Sequence, residues 1–246
     1  MKKAILIGFL MVLMVAPGVM ADSVNIYRVP GYYSGSGGEF TLHINDGTAF
    51  LNQYYNLYDL ETRDIGDHDL SFQSFCIEAN EYVNDSGGLY TVVLNNSAVL
   101  GGTGGGSPDP LSVGAAWLYH EFQLGSLKDY NYTGSQTTKF ANRAAAAEDL
   151  QKAIWWLENE TGGSSTAVYS TLAISHFTTE ALARVDNYDD QTGQITIPVM
   201  VLNLYQGTTP KQDQLVCVPV PEPASLLLLG FGLLGVGVFA RRRFKK

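Results

Sequence analysis

Only two cysteines, Cys76 and Cys217, occur in the 246-residue chain. A multi-bridge disulfide framework is therefore excluded, and one bridge at most can form. Basic residues are scarce away from the ends. Seven of the 15 Lys and Arg lie in residues 1–21 and 221–246, whereas Glu222 alone of the 24 Asp and Glu does. The stretch between sets 8 bases against 23 acids, a net charge of −15. Such a surface disfavours nucleic acid and anionic lipid as partners.

The familiar catalytic signatures are also missing. His120-Glu121 begins like a zinc-protease helix, but Leu124 stands where the second His is required. No serine occupies a Gly-x-Ser-x-Gly turn. The glycine run around Gly104 lacks the Lys-Ser/Thr of a phosphate cradle. His43, His68 and His176 have no partner at ligand spacing. Asp186, Asp189 and Asp190 offer hard oxygens but lack the calcium-loop pattern, and read as an acidic turn. Pairs such as Glu158 and Glu160 arise in any acid-rich chain, which leaves a sugar hydrolase as a distant reading. No metal, cofactor or turnover enzyme is expected.

What the chain does have starts at its ends. Residues 1–21, MKKAILIGFLMVLMVAPGVMA, join a basic start at Lys2 and Lys3 to an apolar stretch and a small-residue close at Ala21. That is the pattern of a secretory signal peptide and predicts export by the Sec pathway. Residues 224–240 are uncharged and, at about 1.5 Å per residue, just long enough to cross a bilayer. Arg241, Arg242 and Arg243, with Lys245 and Lys246, form a basic stop that keeps this end cytoplasmic and residues before Pro221 outside. Pro221-Glu222-Pro223, an apolar span and an Arg-rich end, in that order, resemble the C-terminal sorting tail of PEP-CTERM proteins. The resemblance implies transient insertion in the inner membrane, processing by exosortase, and delivery to the cell surface or extracellular matrix.

Between the ends, strand composition marks residues 24–33, 38–44, 70–83 (a strand pair or a bulged strand), 88–94 and 194–204. Residues 59–69 read as an acidic loop, and 101–110 as a flexible breaker. The period changes to helical over 111–122, 140–160 and, as one or two helices, 167–187. Strands, a helical block, then strand predict an α+β fold: a β-sandwich or barrel-like unit carrying an inserted helical subdomain at about 111–187. One domain over 22–212, a linker at 213–220 and the tail at 221–246 complete the expected organisation.

The stretch EDLQKAIWWLENE poses the chemical question. Advancing roughly 100° per residue from Phe140 puts Ala144, Ala147, Ile154 and Trp155 on one face, with Gln151 in its middle. A buried carboxamide is costly unless its donors and acceptor are paired. One answer is a hydrogen bond to a strand edge or loop. Another involves Cys76, whose thiolate can attack the amide carbonyl, expel ammonia and leave an internal thioester if sulfur and carbon are held together. A third partner competes, because a Cys76–Cys217 disulfide is the default for two exported cysteines. By its position beside the tail, Cys217 itself reads as free or exposed.

Phe75-Cys76-Ile77, followed 75 residues after the Cys by Gln151-Lys152-Ala153-Ile154-Trp155, resembles the thioester domain of bacterial surface adhesins. The resemblance implies a Cys76–Gln151 cross-link between the β-unit and the helical insertion, shielded by Trp155 or Trp156. Trp117 and Tyr119 belong to a further helix of that insertion and are additional candidate shields. Glu78, Glu158 and His120 are candidates to take a proton from an incoming amine. The expected function is capture, once per molecule, of an amine on a surface protein or an amine-bearing matrix polymer. The alternative is a structural or carbohydrate-associated matrix protein in which Gln151 only hydrogen-bonds.

Overall fold

The computed structural model describes residues 22–35, 37–45, 71–101, 106–133, 137 and 139–218. The expected signal peptide, the acidic loop at 59–69 and the sorting tail with its span at 224–240 lie outside the described residues. Among the described residues no helix is long and apolar enough to cross a membrane.

Strand β1 (Asp22–Tyr27) precedes a short hairpin, β2 (Tyr33–Ser34) and β3 (Gly37–Gly38), then β4 (Phe40–Ile44) and β5 (Ser71–Ser74). The long β6 (Ser86–Asn95) and the small pair β7 (Ser97–Ala98) and β8 (Asp109–Pro110) lead into the helices. These are α1 (Val113–Gln123), α2 (Arg143–Leu157), α3 (Val168–Phe177) and α4 (Glu180–Ala183). The chain returns through β9 (Tyr188–Asp189) and β10 (Gln194–Ile195) to β11 (Val199–Gln206) and β12 (Thr209–Cys217). The fold is α+β, as the order of periodicities predicts.

Six strands build one antiparallel sheet in the order β12-β11-β6-β1-β4-β5. The sheet curls until its two edges meet. Just past β5, Leu215 donates its N–H to the Phe75 carbonyl at 3.0 Å, and Ile77 donates to the Asp213 carbonyl at 3.1 Å. These bonds bracket a bridge between Cys76 and Gln214, so the seam of the half-barrel is stitched at Cys76.

Strand alternation then sorts the seam residues between two cores. Cys76 and Val216 face an inner cluster with Val24, Ile26, Leu42 and Trp155. Phe75, Ile77, Leu215 and Cys217 face the opposite cluster, where α1 and α2 pack through Leu118, Tyr119, Leu150 and Ile154. Cys76 and Cys217 therefore point to different cores, and both are free thiols. The default disulfide does not form. Nor is Cys217 exposed: it is 5 % accessible and pairs with Val199 in the sheet.

The helices start at side-chain caps. Ser112 accepts the Ala115 N–H at the start of α1, and Asn142 accepts that of Ala145 at the start of α2. At the same end of α2, Arg143 grips the buried Glu39 with two bonds, Nε to Oε1 at 2.7 Å and Nη2 to Oε2 at 2.8 Å. A paired, bidentate contact of this kind fixes where α2 sits on the β-unit, since either charge alone would be stranded in the interior.

Some expectations need correction. Residues 71–83 hold one short strand followed by irregular chain, rather than a strand pair. Strand β12 runs through residues 213–217, which read as linker from their position beside the sorting tail. The reason is internal pairing. Asp213 accepts N–H groups from Val99 at 2.8 Å and Leu204 at 3.1 Å, at the bulge between β11 and β12. An acid with that many backbone donors can be buried, and the apolar–polar alternation that betrays a strand is lost.

Candidate functional site

The bonds flanking the Cys76–Gln214 bridge leave Cys76 as a narrow, non-hydrogen-bonded pair. Its own N–H and C=O consequently point away from β12. Gln151, in the third turn of α2, takes both. The Cys76 N–H donates to Gln151 Oε1 at 3.3 Å, and Gln151 Nε2 donates to the Cys76 carbonyl at 2.7 Å. The carboxamide thus stands in for a further strand. The Cys76 thiol also donates to the same Oε1, at 3.3 Å. Cys76 and Gln151 are both completely buried. A helix carries a Gln on its apolar face here because the barrel seam has one residue's worth of unpaired backbone to fill.

The β2–β3 hairpin lies directly over Gln151. A Cβ on Gly37 would come within 3.1 Å of Gln151 Cγ and 3.2 Å of its Cβ, so any side chain here would press Gln151 back by a few tenths of an ångström. Arg28 holds the hairpin down: Nη2 donates to the Gly37 carbonyl at 2.9 Å, and the guanidinium lies 4.0 Å over the Tyr33 ring. Trp155, one turn beyond Gln151, packs into the inner cluster with Cys76. Its indole N–H approaches the sulfur closely enough to favour the thiolate, yet meets no acceptor at ordinary hydrogen-bond geometry.

Burial dominates the electrostatics. It pushes the Cys76 thiol far above the usual range, and the nearby Glu78 adds to the effect; Trp155 and Arg28 oppose it weakly. Glu78 is itself raised, first by burial and then by Asp213 and Glu81, while its Oε2 accepts the Asp213 N–H at 3.0 Å. Asp213 holds the better set of donors, so the proton of this tight pair resides on Glu78. Glu81 is raised to about 7 by burial and by Asp213 and Glu160. The interior beside the cysteine therefore keeps a neutral thiol next to a protonated carboxyl.

Chemically, the arrangement supplies a sulfur against a carboxamide and a backbone N–H on that carboxamide's oxygen. The N–H occupies the position of an oxyanion donor should the carbonyl carbon become tetrahedral.

The other residues singled out from sequence go elsewhere. Trp156 packs against the outer core, with Arg184 4.4 Å over its ring. Tyr119 is core; its hydroxyl donates to the Gln73 carbonyl at 2.9 Å. Trp117 stacks on His176 at 4.0 Å and lines a separate cleft of ≈ 290 Å³ with Glu121, Lys128 and Leu172. His120 sits half-buried on α1, with a pKa lowered by burial, and is not brought to the pair. Glu158 holds the Ser112 cap of α1 by accepting from Ser112 Oγ at 2.5 Å. Asp189 accepts N–H groups from Gln191 and Thr192 in the β9–β10 turn, as an acidic turn should. Among the described residues, no cluster suited to a metal ion occurs. Sequence reasoning missed Gly37, Arg28 and Gln214. Only Gly37 left a trace, as one of several glycines between two strand-like segments.

Residues 219–243 match the family model of the PEP-CTERM protein-sorting motif. That motif implies export, processing by exosortase and membrane-associated sorting to the cell surface. No curated protein and no solved structure matches the chain. None of these comparisons supports the resemblance to thioester domains.

Proposed function

We propose that the exported domain forms a Cys76–Gln151 thioester and uses it to attach covalently to an amine, as an adhesin-like surface protein. The observation that supports this reading is the contact of the Cys76 thiol with Gln151 Oε1 at 3.3 Å, in full burial, with the carboxamide held by Cys76's own backbone. In formation, Sγ bonds to Gln151 Cδ, the Cδ–Nε2 bond breaks, and the thiol proton leaves with the nitrogen as ammonia. Burial disfavours a free thiolate, so proton and sulfur move together. The product has lost the amide donors, which suits an apolar interior better than the carboxamide it replaces. Capture is the reverse with a different amine: an amide to the target forms and Cys76 is released. A covalent link escapes the dissociation rate that limits ordinary complexes. The target class is a lysine-bearing surface protein or an amine-bearing matrix polymer.

The hydrogen bonds of Gln151 favour a second reading. They pair its oxygen and one of its amide N–H groups, so Gln151 can serve as a strand-like tie in a non-covalent matrix protein. Mass analysis separates the two. Protein purified after export of the full chain should lack one ammonia, mapped to peptides containing Cys76 and Gln151, and should gain methylamine at Gln151. A chain that retains its ammonia and ignores methylamine leaves only the structural tie.

A further inference from the structure

A second carboxamide stands beside the first. Gln214 is bridged to Cys76 across the seam. In a narrow pair the two side chains leave the same face and lie closest together. Val216, on the same face of β12, packs in the inner cluster with Cys76 and Trp155. The Gln214 amide therefore enters that apolar interior on the sulfur's side. It is completely buried, yet among the described residues neither Oε1 nor Nε2 has a hydrogen-bond partner. An apolar residue of the same shape would avoid that desolvation cost. The Trp155 indole N–H is buried and unpaired in the same cluster. Two unpaired polar groups around one sulfur are suited to charge and hydrogens that appear only during a reaction.

We propose that Gln214 is a catalytic residue of the seam, binding the ammonia that leaves, or the primary amine that enters, at the Gln151 carbonyl carbon; this rests on the thioester reading above. In capture, the amine donates one N–H to Gln214 Oε1 and turns its lone pair toward Cδ. The Cδ–N bond forms as Cδ–Sγ breaks. The electron pair stays on sulfur and one amine proton passes to it, so Cys76 ends as a thiol and Gln151 as a substituted amide. The Trp155 N–H supplies a donor to the sulfur as its charge grows.

The test compares wild type with Gln214→Met, each produced as the full chain and purified after export. Three things are measured: ammonia loss, methylamine uptake, and exchange of the thioester with 2-mercaptoethanol. The variant should fold, carry the thioester and take up methylamine about tenfold more slowly, the effect of one lost hydrogen bond. Exchange with the thiol, which brings no N–H, should stay within about twofold of wild type. Equal slowing toward amine and thiol, or slowing of neither, overturns the assignment. A wild-type chain that retains its ammonia overturns the thioester reading and this assignment with it. A wild-type thioester beside an unaffected variant removes the role of Gln214 alone. Gln214→Leu replaces Met if Met gives no folded protein, and failure of both to fold marks Gln214 as structural and also overturns it.

Discussion

Cys76 lies just past β5, opposite Gln214 of β12 and three residues along that strand from Cys217, and the surroundings of the two thiols differ in kind. Cys217 sits among apolar side chains, and burial alone pushes its thiol up to about 12. Cys76 is no less buried, but it faces a carboxamide, an indole N–H, a second carboxamide and the Glu78 carboxyl. Exclusion from water makes both thiols poor nucleophiles in general. What distinguishes the pair is a fixed electrophile at one of them. Reactivity at Cys76, on this view, is a matter of neighbours and not of exposure.

The sharpest way to break that contrast is substitution of each cysteine in turn. Cys76→Ala should abolish ammonia loss and methylamine uptake outright, whereas Cys217→Ala should leave both intact by intact-mass analysis. Loss of both signals in the Cys217 variant would sink the distinction. A smaller effect separates the two carboxamides. Gln151→Leu strands the N–H and C=O of Cys76 and should cost about 2–4 kcal/mol in urea unfolding. Gln214→Leu removes groups that have no partner, and should be neutral or stabilising. Next comes the hairpin. Gly37→Ala drives a methyl against Gln151, with an expected cost of about 1–3 kcal/mol and a slower appearance of the mass loss; unchanged stability would show that the hairpin simply lifts away.

The smallest effect concerns pH. Glu158 is raised to about 8, chiefly by burial, with the Ser112 hydroxyl opposing and Asp109 adding. Between about pH 4.5 and 8 the folded protein holds a proton there that the unfolded chain has released. Stability contributed by this group is thus fully present below the lower value and lost as pH rises through the upper one. Glu158→Gln should flatten that part of a stability-versus-pH profile measured by thermal unfolding.

Much of this was legible in the residues. The 3.6-residue period located α2 and set Gln151 on its buried face, and the switch from strand to helix and back gave the α+β class. The meeting of Cys76 with Gln151 was expected from their local sequences. Other features were hidden by their own chemistry. β12 buries Gln212, Asp213 and Gln214, so its pattern is polar where a strand should be apolar. Arg143 and Glu39 read as surface charges until they are seen to neutralise each other across the layers. Aromatic residues were the least informative. Trp117, Tyr119, Trp155 and Trp156 share composition and helical context, yet only Trp155 turns toward the sulfur, because a rotation of one residue selects a different core.

The strand that closes the barrel is also the last one before the sorting motif, with three residues between Cys217 and Pro221. Any pull exerted through an anchored C-terminus therefore enters the domain at β12 and loads its ladder with β11 and the Cys76 seam together. Without a covalent tie, that load is resisted by backbone hydrogen bonds alone. A sulfur–carbonyl bond at that point would hand it onward to α2 and spread it through the helical layer.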